Sequence, residues 1–217
     1  MWKQHALNIK KHMRHEPIEN FLNWSTIQAT MFVGNGADYI KDEYDELMGA
    51  GWENIIAETR VGNPEIYNGH TSGNLIRQAY HIKQWQDHTG KQVKNLKCIM
   101  EVGAGYGALR LIIDRLGFSG KYVIVDIPEV IELQKYYFQR CQLQAEFNVD
   151  CSPDLLIGLF SLSEMAVDER KKILGSCAPM HHLIAFQAVF YGIDNMKYFN
   201  FGEIVEARPK GCFYLVR

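Results

Sequence analysis

Glu101-Val102-Gly103-Ala104-Gly105-Tyr106-Gly107 is the segment whose residue types and spacing best suit chemistry. Three alternating glycines allow a tight turn and let a ligand come close to the backbone. Asp126 lies 21 residues beyond Gly105. A carboxylate there can accept hydrogen bonds from both ribose hydroxyls of an adenosine. These roles need a strand before the glycines, a helix after them, and a second strand ending at Asp126.

The surrounding residues supply those elements. Cys98 to Val102 reads as a short apolar strand, Tyr106 to Leu116 as a helix ended by Gly117, and Lys121 to Asp126 as a β-branched strand. Pro128 suits the first turn of a helix that runs to about Gln142. Ala145–Val149, Asp154–Phe160 and His182–Val189 read as three more strands, with a charged helix from Met165 to Leu174 closed by Gly175. Glu203–Ala207 and Cys212–Val216, joined by Arg208-Pro209-Lys210-Gly211, give a terminal hairpin. Together they predict an α/β, Rossmann-like, doubly wound sheet, mostly parallel, with an antiparallel terminal hairpin. Residues 98–217 form this domain, and residues 1–97, rich in His, Asn, Gln, Trp and Tyr, form a helical N-terminal cap or lid. Within that cap, Asp38 to Met48 reads as helix, and Ser72 caps a helix over about 73–88 with Gly90 beyond it.

The spacing of the glycines bears on the cofactor. A dinucleotide loop reads G-x-G-x-x-G/A and offers its helix N-terminus to a diphosphate. Here the third glycine falls one residue early, and Ala108 occupies the dinucleotide position, so an alanine variant of that motif stays open. Glu101, two residues before the first glycine, suits a diphosphate poorly. It suits the cationic aminoacyl end of S-adenosylmethionine well, through water or backbone.

Ile99 to Gly107, followed by Val125-Asp126-Ile127-Pro128-Glu129, resembles the class I S-adenosylmethionine-dependent methyltransferases. The Asp-x-Pro-Glu step and Ser161-Leu162-Ser163-Glu164-Met165 are similar to segments of the sugar O-methyltransferase family. The resemblance implies a seven-stranded sheet with its last strand inserted antiparallel. It implies that Gly103, Ala104, Gly105 and Tyr106 hold the methionine part, Asp126 the ribose and Ile127 the adenine. It also implies that Ser161 lines the pocket after the fourth strand. Asp150 is the candidate for an adenine-binding acid, and could equally cap a turn with Ser152 and Pro153. Only Asp150 to Pro153 separates the third and fourth strands, so the usual intervening helix is missing or the third strand is misplaced.

Methyl transfer from a sulfonium is an in-line displacement that positioning accelerates, and a base helps when the acceptor is a hydroxyl. Glu164, after the fourth strand, is one candidate base; it equally suits a helix start capped by Ser163. His81 is another, with Arg77 four residues earlier on the same helix face and placed to meet a cofactor carboxylate. Gln187, Tyr191, Asp194 and Asn195 are candidate acceptor contacts. No tight Asp/His cluster points to a metal.

Charge and composition narrow the partners. Lys and Arg number 23 against 25 Asp and Glu, which gives no reason to expect nucleic acid. No stretch reaches the length of a membrane span, and the N-terminus lacks a secretory h-region. Five scattered cysteines suit reduced thiols in the cytoplasm. The expected partner is a small-molecule or glycan acceptor. Two other readings stay open: a cofactor-binding module without catalysis, and a nicotinamide-dependent oxidoreductase.

Overall fold

The computed structural model describes residues 2–217. They divide into two compact units. One comprises the chain up to Gln84, Gly105–Gly117 and Ile127–Gln144; the other comprises Trp85–Ala104, Phe118–Asp126 and Ala145–Arg217. The first is helical and the second holds the sheet.

The helical unit contains α1 (Trp2–His15), a 3-10 turn over Ile18–Asn23, α2 (Ser25–Thr30), α3 (Ile40–Gly49) and most of α4 (Gly73–Thr89). It also contains α5 (Ala108–Arg115) and α6 (Pro128–Cys141). Ser72 caps α4 as expected, its Oγ accepting from the Leu75 amide at 3.3 Å. Gly90 follows with a left-handed φ of 67°. Pro128 opens α6, and Gln142 ends it at φ 58°. The core is aromatic at its centre. Phe21, Tyr106 and Tyr137 meet edge to face with centroids 5.1–6.1 Å apart. Gly62 makes room for this cluster, because a Cβ there would lie 2.4 Å from the Phe21 ring.

The sheet unit is built on β1 (Cys98–Val102), β2 (Lys121–Val125), β3 (Glu146–Phe147), β4 (Leu155–Leu159) and β5 (His181–Gln187). A separate two-stranded ribbon, β6 (Val189–Phe190) and β7 (Ile193–Asp194), follows; β8 (Glu203–Ala207) and β9 (Cys212–Val216) complete the main sheet. Its order is β3-β2-β1-β4-β5-β9-β8. The first five strands run parallel, and β9 lies antiparallel between β5 and β8. This is the predicted seven-stranded sheet with an antiparallel insertion. The hairpin bounds agree with the sequence reading.

The pleat sorts the side chains. Met100, Val102, Val123, Leu156, Ile184, Phe186 and Leu215 point to one face and share a core with Leu162, Cys177 and Phe199. Ile99, Glu101, Tyr122, Ile124, Ile157 and Ala185 point to the other, and they too are buried. Burial on both faces is what a parallel sheet requires.

Two readings need correction, and one open alternative is decided. The third strand is only two residues long, because Asn148 turns left-handed at φ 51° directly after it. No helix forms between β3 and β4, so the missing-helix alternative is the one observed. The charged helix is α8 (Val167–Ser176), preceded by a separate turn, α7 (Ser161–Glu164). Met165 is extended, so α8 begins after Ala166, where Asp168 and Glu169 sit in the favourable first turn. Gly175 therefore lies inside its last turn and does not end it. The Tyr191-Gly192 turn of the β6–β7 ribbon has φ 45° and 79°, positive at both positions, as tight hairpins require. The short α9 (Asn195–Tyr198) follows it.

Candidate functional site

The strand ends of the sheet unit gather the predicted residues. Beyond β1, the Gly103 amide donates to Val125 O at 2.9 Å, which carries the ladder to the last residue of β2 one step past the end of β1. Gly103 then turns at φ 67°. A Cβ on it would lie 2.4 Å from Ser161 Cβ, so this position needs glycine twice over. Ser161 faces it from the start of α7 and donates its hydroxyl hydrogen to Val102 O. Phe160, the residue before, is left-handed at φ 65° without being glycine. Such an outlier marks a backbone held by its surroundings. Here its amide donates to Ala185 O at 2.8 Å.

Asp126 stands where β2 ends. Its Oδ2 accepts from the Ala104 amide at 3.1 Å. Its main chain is clamped by Asn148, whose Oδ1 accepts from Asp126 N and whose Nδ2 donates to Asp126 O, both at 3.0 Å. Asn148 thus acts like one more residue of a paired strand. Sequence reading passed it over. The available signal was an asparagine closing a short apolar run, since asparagine tolerates the left-handed region. Asp150 lies exposed two residues further along the same loop.

Glu101 is 3% exposed and accepts from the Tyr122 hydroxyl at 2.6 Å. Tyr122 pairs with Ile99, so the two side chains share one sheet face. Burial pushes the Glu101 carboxyl up, the Tyr122 hydrogen bond pulls it down, and the Asp126 charge pushes it up again, to about 7. The neutral hydroxyl leaves this carboxylate without a compensating charge, which is the environment a cationic ligand group would relieve. Tyr122 is a second residue that sequence reading missed.

The segments after β4 and β5, where the sequence suggests acceptor contacts, are tied together by a buried arginine. Arg170 is fully buried. It donates to Met165 O at 2.8 Å, to Asn195 Oδ1 at 2.6 Å and to Ser163 O at 2.5 Å. Asn195 Nδ2 donates to Gln187 O at 2.9 Å, and Ser163 Oγ lies 3.1 Å from Gln187 Oε1. Arg170 therefore fixes the segment that carries Glu164 by holding its carbonyls. Ser163 does not cap a helix: its hydroxyl bonds Phe160 O at 2.6 Å, and Glu164 ends α7 half-buried. Asn195 is buried in this network, and Asp194 caps α9 through the Lys197 amide at 3.1 Å.

The helical unit carries the remaining predicted residues. Gly105 O accepts from Gln134 Nε2 at 2.8 Å, and the buried Tyr106 hydroxyl accepts from Asn74 Nδ2 at 2.8 Å. Gly105 has φ 57°, and a Cβ there meets nothing closer than Met31 at 3.7 Å, so conformation and not space favours glycine. Ile127 is half-buried just ahead of α6. Arg77 forms a buried ion pair with Glu43 and lies over the Tyr39 ring, 4.9 Å from its centroid. A cofactor carboxylate is not needed to balance it. His81 is 1% exposed; burial, then the Arg77 charge, holds its imidazole well below the usual range. It is neutral near pH 7 and a weak base.

Among the described residues, no group of three or more His, Cys, Asp or Glu gathers as a metal site. Among the described residues, no helix is long and apolar enough to cross a membrane. No family model and no curated protein matches the sequence. Solved structures do match the fold. Mitomycin 7-O-methyltransferase aligns over 99% of this chain and 67% of its own, with a TM-score of 0.51 and 11% identity. Magnesium protoporphyrin IX methyltransferase from Synechocystis PCC 6803, solved with bound SAM, aligns over 85% of this chain and 98% of its own, with a TM-score of 0.48 and 16% identity. The β3-β2-β1-β4-β5-β9-β8 sheet is thus the Rossmann-like sheet found in S-adenosylmethionine-dependent methyltransferases.

Proposed function

We propose that this chain is an S-adenosylmethionine-dependent methyltransferase that methylates a hydroxyl of a sugar or another small molecule. The observation that carries the reading is the strand-end arrangement of the sheet unit. Asp126 is held there by Ala104 N and Asn148, beside the tight Gly103 turn, with the buried Glu101 carboxylate behind it. Asp126 receives the ribose hydroxyls as a charged acceptor. The backbone at Gly103 and Ala104 holds the methionine part, and Glu101 supplies the negative field for its ammonium. Gly105 and Tyr106 continue that loop, and Ile127, next to Asp126, packs on the adenine. Ser161 and Asp150 border the pocket. The bound cofactor supplies an already activated methyl group, so the protein needs no nucleophile of its own.

Glu164 is the base for the acceptor hydroxyl. Arg170 positions its segment through Ser163 O and Met165 O. On this reading the cofactor-binding motifs all lie within residues 98–217. Titration calorimetry with S-adenosylmethionine and its demethylated product tests the cofactor; a folded chain that binds neither overturns the reading. Transfer of a labelled methyl group to a panel of sugars and small hydroxyl compounds tests the acceptor.

A second reading, a cofactor-binding module without turnover, is favoured by one observation. His81 is buried and neutral, which leaves Glu164 to act alone as base. Tight cofactor binding with no transfer to any acceptor selects it. A nicotinamide enzyme fits less well, because the Glu101 carboxylate, when ionised, opposes a diphosphate at the glycine turn.

A further inference from the structure

Cys98 opens β1, and Cys151 lies in the loop between β3 and β4, 53 positions later. Their sulfurs are 3.5 Å apart, with Cys98 Sγ donating to Cys151 Sγ. Both side chains are partly exposed, and both cysteines are free thiols. A disulfide needs about 2.05 Å between the sulfurs, so a modest side-chain movement closes the gap.

The backbone around the pair is fixed. The Asp154 carboxylate accepts from Lys97 N at 2.5 Å and Cys98 N at 3.0 Å, and Asp154 N donates to Cys98 O at 2.8 Å. The Lys121 ammonium pairs with Glu146 at 2.9 Å and acts more weakly on both sulfurs. A nearby cation favours the thiolate, the nucleophilic form. Burial and the neighbouring Cys151 push Cys98 up to about 12. In the contact between the two sulfurs Cys98 is the donor and Cys151 the acceptor, and the accepting sulfur is the one with a lone pair to attack.

We propose that Cys98 and Cys151 form a two-electron redox site that takes a hydroperoxide as oxidant and a small thiol as reductant. In the first step the Cys151 thiolate attacks the peroxide. The O–O bond breaks, a sulfenic acid forms on Cys151, and the departing oxygen leaves as water or alcohol after taking a proton. In the second, Cys98 sulfur attacks the Cys151 sulfur. The S–O bond breaks, the S–S bond forms, and the hydroxide leaves as water with the Cys98 proton. The two sulfurs lose one electron each and the peroxide gains both. Two equivalents of small thiol reverse the change by exchange. The bridge would tether, at Cys151, the same loop whose Asn148 clamps Asp126.

Peptide mapping of the folded chain after hydrogen peroxide treatment and maleimide quenching tests this. The expected product is a Cys98–Cys151 cross-link, two hydrogens lighter than the thiols and lost with dithiothreitol. It should persist in Cys177→Ser and be absent in Cys98→Ser, where dimedone labels Cys151 instead. In urea, where the chain must first close the intervening loop, it should form roughly tenfold more slowly or less. Cys177 is the competitor: burial, and then the neighbouring Cys151, push its thiol up. The proposal fails if Cys98 and Cys151 remain free to maleimide, if Cys151 joins Cys177, or if the bridge forms as fast in urea.

Discussion

Two buried glutamates behave differently. Glu43 in the helical unit is fully buried and faces Arg77, a charge of opposite sign. Glu101 in the sheet unit is nearly as buried but faces the Tyr122 hydroxyl and the negative Asp126. The first pair is electrically complete, so it fixes structure. The second is incomplete, so it favours either a proton or a cationic ligand. Burial alone does not mark a functional carboxylate; the charge state of its partner does.

The largest expected effect would break the Glu43 side of this contrast. Glu43→Ala leaves the Arg77 charge buried without its partner and should destabilise the fold by about 3–5 kcal/mol. Urea unfolding measures it; a loss well under 1 kcal/mol would mean the pair is not structural.

Glu101 should show the opposite behaviour, as a pH dependence. Its folded carboxyl lies near 7, above the ordinary 4.5, so the folded state holds the proton more tightly. Its contribution to stability is full below about 4.5 and is lost as pH rises through about 7. The difference corresponds to roughly 3 kcal/mol. Unfolding midpoints at pH 5 and pH 8 should differ accordingly, and Glu101→Gln should flatten the difference. Cofactor affinity should run the other way and tighten as pH rises through 7, because the ionised carboxylate meets the ammonium.

Asp126→Ala sharpens the comparison at the strand ends. It should weaken cofactor binding by about 1.5–3 kcal/mol through lost charge-assisted hydrogen bonds. Calorimetry reads this, and unchanged affinity in a folded variant removes Asp126 from the site. The smallest effect is expected for Asn148→Ala. It removes two hydrogen bonds to the Asp126 backbone and should reduce stability by about 1–2 kcal/mol. Cofactor affinity should fall less than in Asp126→Ala.

Local grammar made much of the fold legible. The terminal hairpin, the Gly103 turn, Pro128 at the start of α6 and the Ser72 cap each follow from a few adjacent residues. Their determinants are short-range: proline's φ, glycine's positive φ and a hydroxyl three residues from an amide. The same grammar misplaced the start of α8 and read Gly175 as its end. Met165 breaks from helix where the Ser163 and Met165 carbonyls receive Arg170, seven and five residues further on, and a side chain reaching back to the preceding turn leaves no mark in the residue periodicity.

The functional site divides in the same way. Sequence by itself determined that a glycine turn follows one strand and a carboxylate ends the next, because spacing and strand order act along the chain. Only tertiary structure decided that Asn148 clamps Asp126, that Tyr122 meets Glu101, and that Arg77 is satisfied by Glu43. Those partners lie 22, 21 and 34 positions apart. Such pairs form by strand register and packing, and their charge balance sets which buried carboxylate is ion-paired and which is pushed up in pKa.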